Sequence, residues 1–265
     1  MIGGFIDALR LSIGLFTVVP VRPVTPTRRI AGVAMLLSPT IGLGLGVAAA
    51  AVVFLSRLPL DKGSSGTLLL PAVLGVTTMA LLTRGLHLDG LADTIDGLGS
   101  MLPAEQARAV MRRGDVGPMG VVAVMLALLL QVAALTVGII DGRGTETLVV
   151  AVVTGRLAAV LGCLPRVPAA ERSGLGAMVS GTVARSTALV LVLLIGWAAA
   201  AAGALDGDGD AGRGAVRGVV AVAAGLAVAT VLRRHAVRRL GGITGDVLGA
   251  LVEVATTASM VAMAL

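Results

Sequence analysis

The sequence predicts an all-α, polytopic integral membrane protein: a single domain over residues 1–265, a helical bundle of about seven transmembrane helices plus an N-terminal interfacial or re-entrant helix. Three observations lead there. Of the 265 residues, 56% are hydrophobic and only 14% charged, with a mean hydropathy of +0.98; a soluble domain carries about 25% charged residues, so this chain lacks the polar surface to dissolve. The apolar mass is Ala, Val, Leu and Gly, with three Phe, one Trp and no Tyr, the small and aliphatic set that packs helices closely in lipid. Apolar stretches of about the 17 to 25 residues that cross a bilayer recur seven times.

Taken in order, residues 1–19 are apolar but interrupted by Asp7 and Arg10, which favours a helix at the interface over a span. Pro20, Pro23 and Pro26 break any continuation. Asp7, the lack of a basic start and the lack of a small-x-small site before Pro20 argue against a cleavable signal. The spans are expected at 31–56, 67–83, 117–140, 148–164, 187–205, 214–232 and 247–265. Gly42-x-x-x-Gly46 has the small-residue spacing of close helix contacts. The single cysteine, Cys163, allows no internal disulfide or thiolate cluster and reads as packing. Asp206-Gly-Asp-Gly-Asp imitates the opening of a calcium loop, but Ala211 and Arg217 stand where Gly and a bidentate Glu are needed, so a turn is expected.

A net charge of +6 would suggest nucleic acid for a soluble protein. In a membrane protein it reports orientation instead, and no nucleic-acid partner is expected. Lys and Arg number 15 in alternate loops, beginning with the N-terminal one, against 5 in the others. By the positive-inside rule the rich loops, and the N-terminus, are cytoplasmic.

The sharpest chemical signal is Arg84-Gly-Leu-His-Leu-Asp-Gly-Leu-Ala-Asp-Thr-Ile-Asp-Gly-Leu, directly after the second span. Asp89, Asp93 and Asp96 fall at i, i+4 and i+7, one face of a helix. Three stacked carboxylates repel, and each at the bilayer centre would cost about 2.5–3.5 kcal/mol, so something must neutralise them. Hard divalent ions such as Mg²⁺ take carboxylate oxygens and keep positions open for water and substrate phosphates. His87 is a candidate metal ligand, general base or hydrogen-bonding partner. Acids that merely cap a helix end in water are the plainer alternative, but the four nearby glycines, Gly85, Gly90, Gly97 and Gly99, are poor helix formers that allow close backbone or phosphate approach.

Candidate bases for an anionic substrate are Arg84, Arg112 and Arg156. Guanidinium binds phosphate bidentately, so a diphosphate substrate fits Arg112, whereas Arg108 and Arg113 read equally well as membrane anchors. Arg156 lies inside a span, where a full charge needs a partner or a watery cavity. In the last cytoplasmic loop Thr244 and Asp246 precede the final helix, whose exposed N–H groups favour an anion. Thr244 could equally cap that helix, and Glu253, at i+7 from Asp246, could pair with Arg156. These segments share one predicted face of the membrane.

The chain resembles the cobalamin synthase family, the adenosylcobinamide-GDP ribazoletransferases. The resemblance rests on His87-Leu-Asp-Gly-Leu-Ala-Asp-Thr-Ile-Asp-Gly, Met111-Arg with Gly117 and Gly120, Gly174-Leu-Gly, and Leu240-Gly-Gly-Ile-Thr-Gly-Asp-Val-Leu-Gly-Ala with Glu253. It implies Mg²⁺-dependent transfer of the adenosylcobinamide phosphate unit from adenosylcobinamide-GDP to α-ribazole or α-ribazole 5′-phosphate, with GMP leaving. On that resemblance Asp89, Asp93 and Asp96 would hold metal, Arg112 would bind phosphate, His87 or an aspartate would act as base, and Asp246 would complete the site in a prokaryotic cytoplasmic membrane. Arg113 and Asp115 depart from the family's acid-then-base pattern, and Thr256 stands where a second acid is common. A CDP-alcohol phosphotransferase would want Asp-x-x-Asp-Gly with an Ala-Arg, a prenyltransferase a second Asp-rich motif, and a divalent-cation transporter acids at mid-span on several helices.

Overall fold

The computed structural model describes residues 2–58, 68–205 and 210–265, and every regular element among them is a helix. In chain order these are α1 (Ile2–Phe16), α2 (Arg28–Arg57), α3 (Leu69–Leu82), α4 (Leu86–Gly99), α5 (Ala104–Met111), α6 (Pro118–Ile140), α7 (Gly144–Gly162), α8 (Gly174–Val179), α9 (Arg185–Leu205), α10 (Ala211–Leu240) and α11 (Gly245–Ala264). Six of them, α2, α6, α7, α9, α10 and α11, are each long and apolar enough to cross a membrane. They match six of the seven expected spans.

The remaining expected span, 67–83, is shorter than its sequence suggested. Helix α3 has 14 residues, about 21 Å at 1.5 Å per residue, and satisfies the length test only together with α4, from which it is bent by 85°. The bend is made by two successive left-handed residues, Arg84 (φ 55°) and Gly85 (φ 66°), and glycine takes that conformation without the usual Cβ penalty. Helix α4 therefore runs across the end of the bundle rather than through it. A second correction concerns α10, which runs for 30 residues to Leu240. The basic run Arg233 to Arg239, expected in a loop, is its last two turns, and Gly241 (φ 86°) closes it. The calcium-like segment lies mostly outside the described residues; Asp210 caps α10 by accepting from the Arg213 N–H at 3.0 Å.

Helices α7 and α11 form the centre, with α2 and α10 against them. Gly42 and Gly46 let α2 meet α7: a Cβ at Gly42 would lie 3.1 Å from the Val152 carbonyl oxygen, and one at Gly46 3.0 Å from the Val149 Cα. Cys163 is buried, its Sγ donating to the Ala159 carbonyl at 3.4 Å, in agreement with a packing role. Helix α9 turns Leu189, Leu193, Leu194 and Trp197 outward, the surface a bilayer would cover.

Candidate active site

Polar chemistry gathers at one end of the bundle, where the start of α2, the ends of α3, α7 and α10, and the start of α11 meet. Arg28 donates to the carbonyls of Ala177 and Ser180, tying α2 to α8. The Val18 N–H donates to the Leu82 carbonyl at 2.7 Å, tying the segment after α1 to α3. Arg108 donates to the Leu240 carbonyl at 2.6 Å, where the end of α10 presents unpaired C=O groups. Residues 169 and 243 form an isolated parallel bridge, through Ile243 N–H to Pro168 C=O (2.9 Å) and Ala170 N–H to Ile243 C=O (3.0 Å).

The floor is the crossing of α4 over α11. A Cβ at Gly90 would lie 2.7 Å from the Asp246 carbonyl oxygen, and one at Gly249 3.3 Å from the His87 Cα. The two backbones touch because both positions are glycine, and this brings the acids of α4 beside Asp246. Burial raises the Asp93 carboxyl to about 6, helped by the charges of Asp89, Asp246 and Asp96. The four aspartates thus share one field.

They are not equivalent. Asp96 accepts the Gly117 N–H at 2.7 Å on one oxygen and the Gly120 N–H at 2.8 Å on the other. It caps α6 from another helix, and a side chain at either glycine would collide with its carboxylate. Asp89 and Asp93 take part in no such contact. Thr244 also caps, accepting from the Val247 N–H at 3.2 Å, and its hydroxyl donates to Asp246 Oδ2 at 3.3 Å.

Beside Asp246 lies a polar cavity of about 270 Å³ lined by Met111, Arg112, Glu171, Ser173, Gly174, Leu175, Gly176, Ile243, Thr244, Gly245 and Asp246. Arg112 donates to Glu171 Oε1, and Arg108 Nε stands 3.7 Å from the same oxygen. Glu171 was not singled out from the sequence. The available signal was that it is the only acid among residues 165–186 and sits three residues before Gly174-Leu-Gly.

His87 is placed away from the acid face. It is 4% exposed, its ring centroid 5.7 Å from that of Phe16, and burial, with the charge of Arg156 adding to it, lowers its pKa well below the ordinary value. Arg156, 2% exposed, has Nε and Nη2 without hydrogen-bond partners among the described residues. It lies in the field of Glu253 but forms no ion pair with it; Glu253 instead accepts from Gln131 Nε2 at 2.9 Å. Arg84 lies at the α3–α4 bend and lines neither described cavity of this end. Arg113 and Asp115 are exposed.

The donor set suits a hard divalent cation: carboxylate oxygens, mutually repelling, on two touching helices. Among the described residues no three His, Cys, Asp or Glu side chains are close enough to enclose an ion by themselves. Asp89, Asp93 and Asp96, expected as the metal ligands, therefore do not form such a three-carboxylate group by themselves.

The family model for cobalamin-5-phosphate synthase matches residues 8–264. The chain belongs to that family. It is 46% identical to the adenosylcobinamide-GDP ribazoletransferase of Frankia casuarinae, over 97% of this chain and 94% of the relative. Relatives of the same name from Nocardioides and Stutzerimonas stutzeri are 38% and 34% identical, each over 97% of this chain and over 98% and 97% of their own lengths. No solved structure matches. The segments that carry the synthase resemblance are those that meet at this end of the bundle: α4, the start of α6, α8 and the start of α11.

Proposed function

We infer that the chain is a membrane ribazoletransferase of cobalamin biosynthesis. It moves the adenosylcobinamide phosphate unit of adenosylcobinamide-GDP onto a ribose hydroxyl of α-ribazole or α-ribazole 5′-phosphate. The hydroxyl oxygen bonds to the phosphorus bearing the cobinamide ester, the P–O bond to GMP breaks, and the hydroxyl proton passes to a base. The observation that carries this reading is the convergence of the synthase family's separate sequence blocks at one end of the bundle, where the acids of α4 stand in the field of Asp246 and Asp246 lines the polar cavity.

Each residue then has its own part in the transfer. Asp89 and Asp93 hold Mg²⁺, which when bound offsets the charge of the diphosphate. Asp96 keeps α4 docked on α6 through the Gly117 and Gly120 N–H groups, and would add a third carboxylate to the ion's surroundings. Arg112, released from Glu171, pairs with phosphate oxygens, as planar guanidinium does well. Asp246 lines the polar cavity beside the acids of α4 and takes the proton. Thr244 holds the Asp246 carboxylate in place. The site faces the cytoplasm, as the basic loops indicate, so both nucleotide-like substrates arrive from that side.

Purified protein in phospholipid nanodiscs, given adenosylcobinamide-GDP and α-ribazole 5′-phosphate, is expected to release GMP and form the joined corrinoid in equal amounts. GMP release without corrinoid product would indicate a hydrolase and contradict the reading. Passage of Mg²⁺ across liposomes without either product would point to transport.

A further inference from the structure

A second cavity of about 220 Å³ lies under α1, with walls that include Leu15 and Phe16 of α1, Met35, His87, Ala159 and Val252. It shares Leu175, Gly245 and Asp246 with the polar cavity, so Asp246 stands where the two meet. Apart from Asp246 at that junction the walls are almost wholly apolar, and the remaining exception is specific. His87 Nδ1 is buried without a hydrogen-bond partner among the described residues, and buried polar atoms left unpaired are rare enough to need an explanation. The His87 and Phe16 rings, 5.7 Å apart and tilted by 34°, give the cavity an aromatic side.

We propose that this cavity seats the aromatic base of the acceptor nucleoside, with Phe16 and the aliphatic walls enclosing the bicycle and His87 bonding its free ring nitrogen. The proposal rests on the ribazoletransferase reading above, since ribazole is a benzimidazole nucleoside. A benzimidazole joined to ribose through one nitrogen keeps the other as a hydrogen-bond acceptor, and an imidazole has an N–H to offer in either neutral tautomer. With the base under α1, the ribose reaches the junction of the two cavities, beside Asp246. The donor's diphosphate then has the polar cavity to itself. Helix α1, too short to cross a bilayer at 15 residues, serves to close the base pocket.

The test is direct binding in nanodiscs, followed by benzimidazole fluorescence. α-Ribazole should bind the wild type and be displaced by free 5,6-dimethylbenzimidazole but not by ribose 5-phosphate at equal concentration. Leu15→Trp, which fills the cavity from α1, should weaken α-ribazole at least about tenfold, and His87→Phe, which keeps the ring and removes the nitrogen, by roughly three- to tenfold. Both should leave adenosylcobinamide-GDP affinity unchanged, which also shows that the variants are folded. Failure of the free base to compete would overturn the proposal, as would equal weakening of both substrates in the two variants. α-Ribazole binding with this pattern but no GMP release from the wild type would sustain the pocket and refute the transferase reading.

Discussion

At the scale of single residues, the three aspartates that look alike in sequence do different work. Asp93→Asn should leave the fold intact, because Asp93 bonds nothing among the described residues, while lowering turnover by at least about 10²-fold. Asp96→Asn should instead lower thermal stability, since an amide can replace only one of the two acceptor oxygens at the start of α6; one buried N–H left unpaired costs roughly 1–3 kcal/mol. A melting curve beside a turnover assay separates the two, and equal loss of stability in both variants would contradict the division of roles. The sign of the pH effect follows from Asp93. Its carboxyl, raised to about 6, is protonated in the folded state at pH values where the unfolded chain is already ionised. Without metal, the folded state therefore loses stability as pH rises from about 4 through 6, and Mg²⁺ affinity falls as pH drops below about 6. Titration calorimetry at pH 5 and pH 7 checks the second. The sequence showed the acid face but not these partners, because Gly117 and Gly120 are 21 and 24 residues away in the chain. It also grouped His87 with Asp89, yet residues two apart on a helix do not face each other, and His87 turns to Phe16 and Arg156.

Among the elements, the contact of α4 with α11 sets the site's dimensions. Gly90→Ala would push a methyl group against the Asp246 carbonyl, 2.7 Å away, and backbone cannot swing aside as a flexible side chain can. Overpacking of this kind costs about 1–3 kcal/mol, and the displaced Asp246 should reduce turnover roughly tenfold or more. Gly44→Ala, where a Cβ meets nothing within 4 Å, is the control that should change neither. Helix existence was legible in hydropathy alone, and six spans sit where the apolar runs put them. The extent of α10 was not, because Arg233 to Arg239 read as a loop by charge while Ala236 and Leu240 are buried at helical spacing. The shortness of α3 was also hidden, since Leu81 and Leu82 continue the apolar run up to the bend.

For the whole molecule, alternation of basic loops predicts one sidedness, and the helices support it by collecting the site at the end where those loops meet. Cys163 is buried, so single introduced cysteines can report topology without background. Arg113→Cys, on the site side, should resist an impermeant maleimide in intact cells, whereas Thr145→Cys, exposed at the start of α7 on the opposite side, should react; the reverse pattern would turn the site outward. That the basic loops share one end was readable because charge placement is one-dimensional, while the cavity was not, because its walls come from α5, α8, α11 and the loop after α7. The central claim is that the acids of α4 together with Asp246 run a Mg²⁺-dependent transfer at this end of the bundle. GMP release in nanodiscs across a Mg²⁺ series, for the wild type, Asp93→Asn and Asp246→Asn, tests it most directly. The account predicts saturable Mg²⁺ dependence in the wild type, a raised Mg²⁺ requirement with residual turnover in Asp93→Asn, and loss of turnover at every Mg²⁺ concentration in Asp246→Asn. Metal-independent release, or wild-type behaviour in both folded variants, would contradict it.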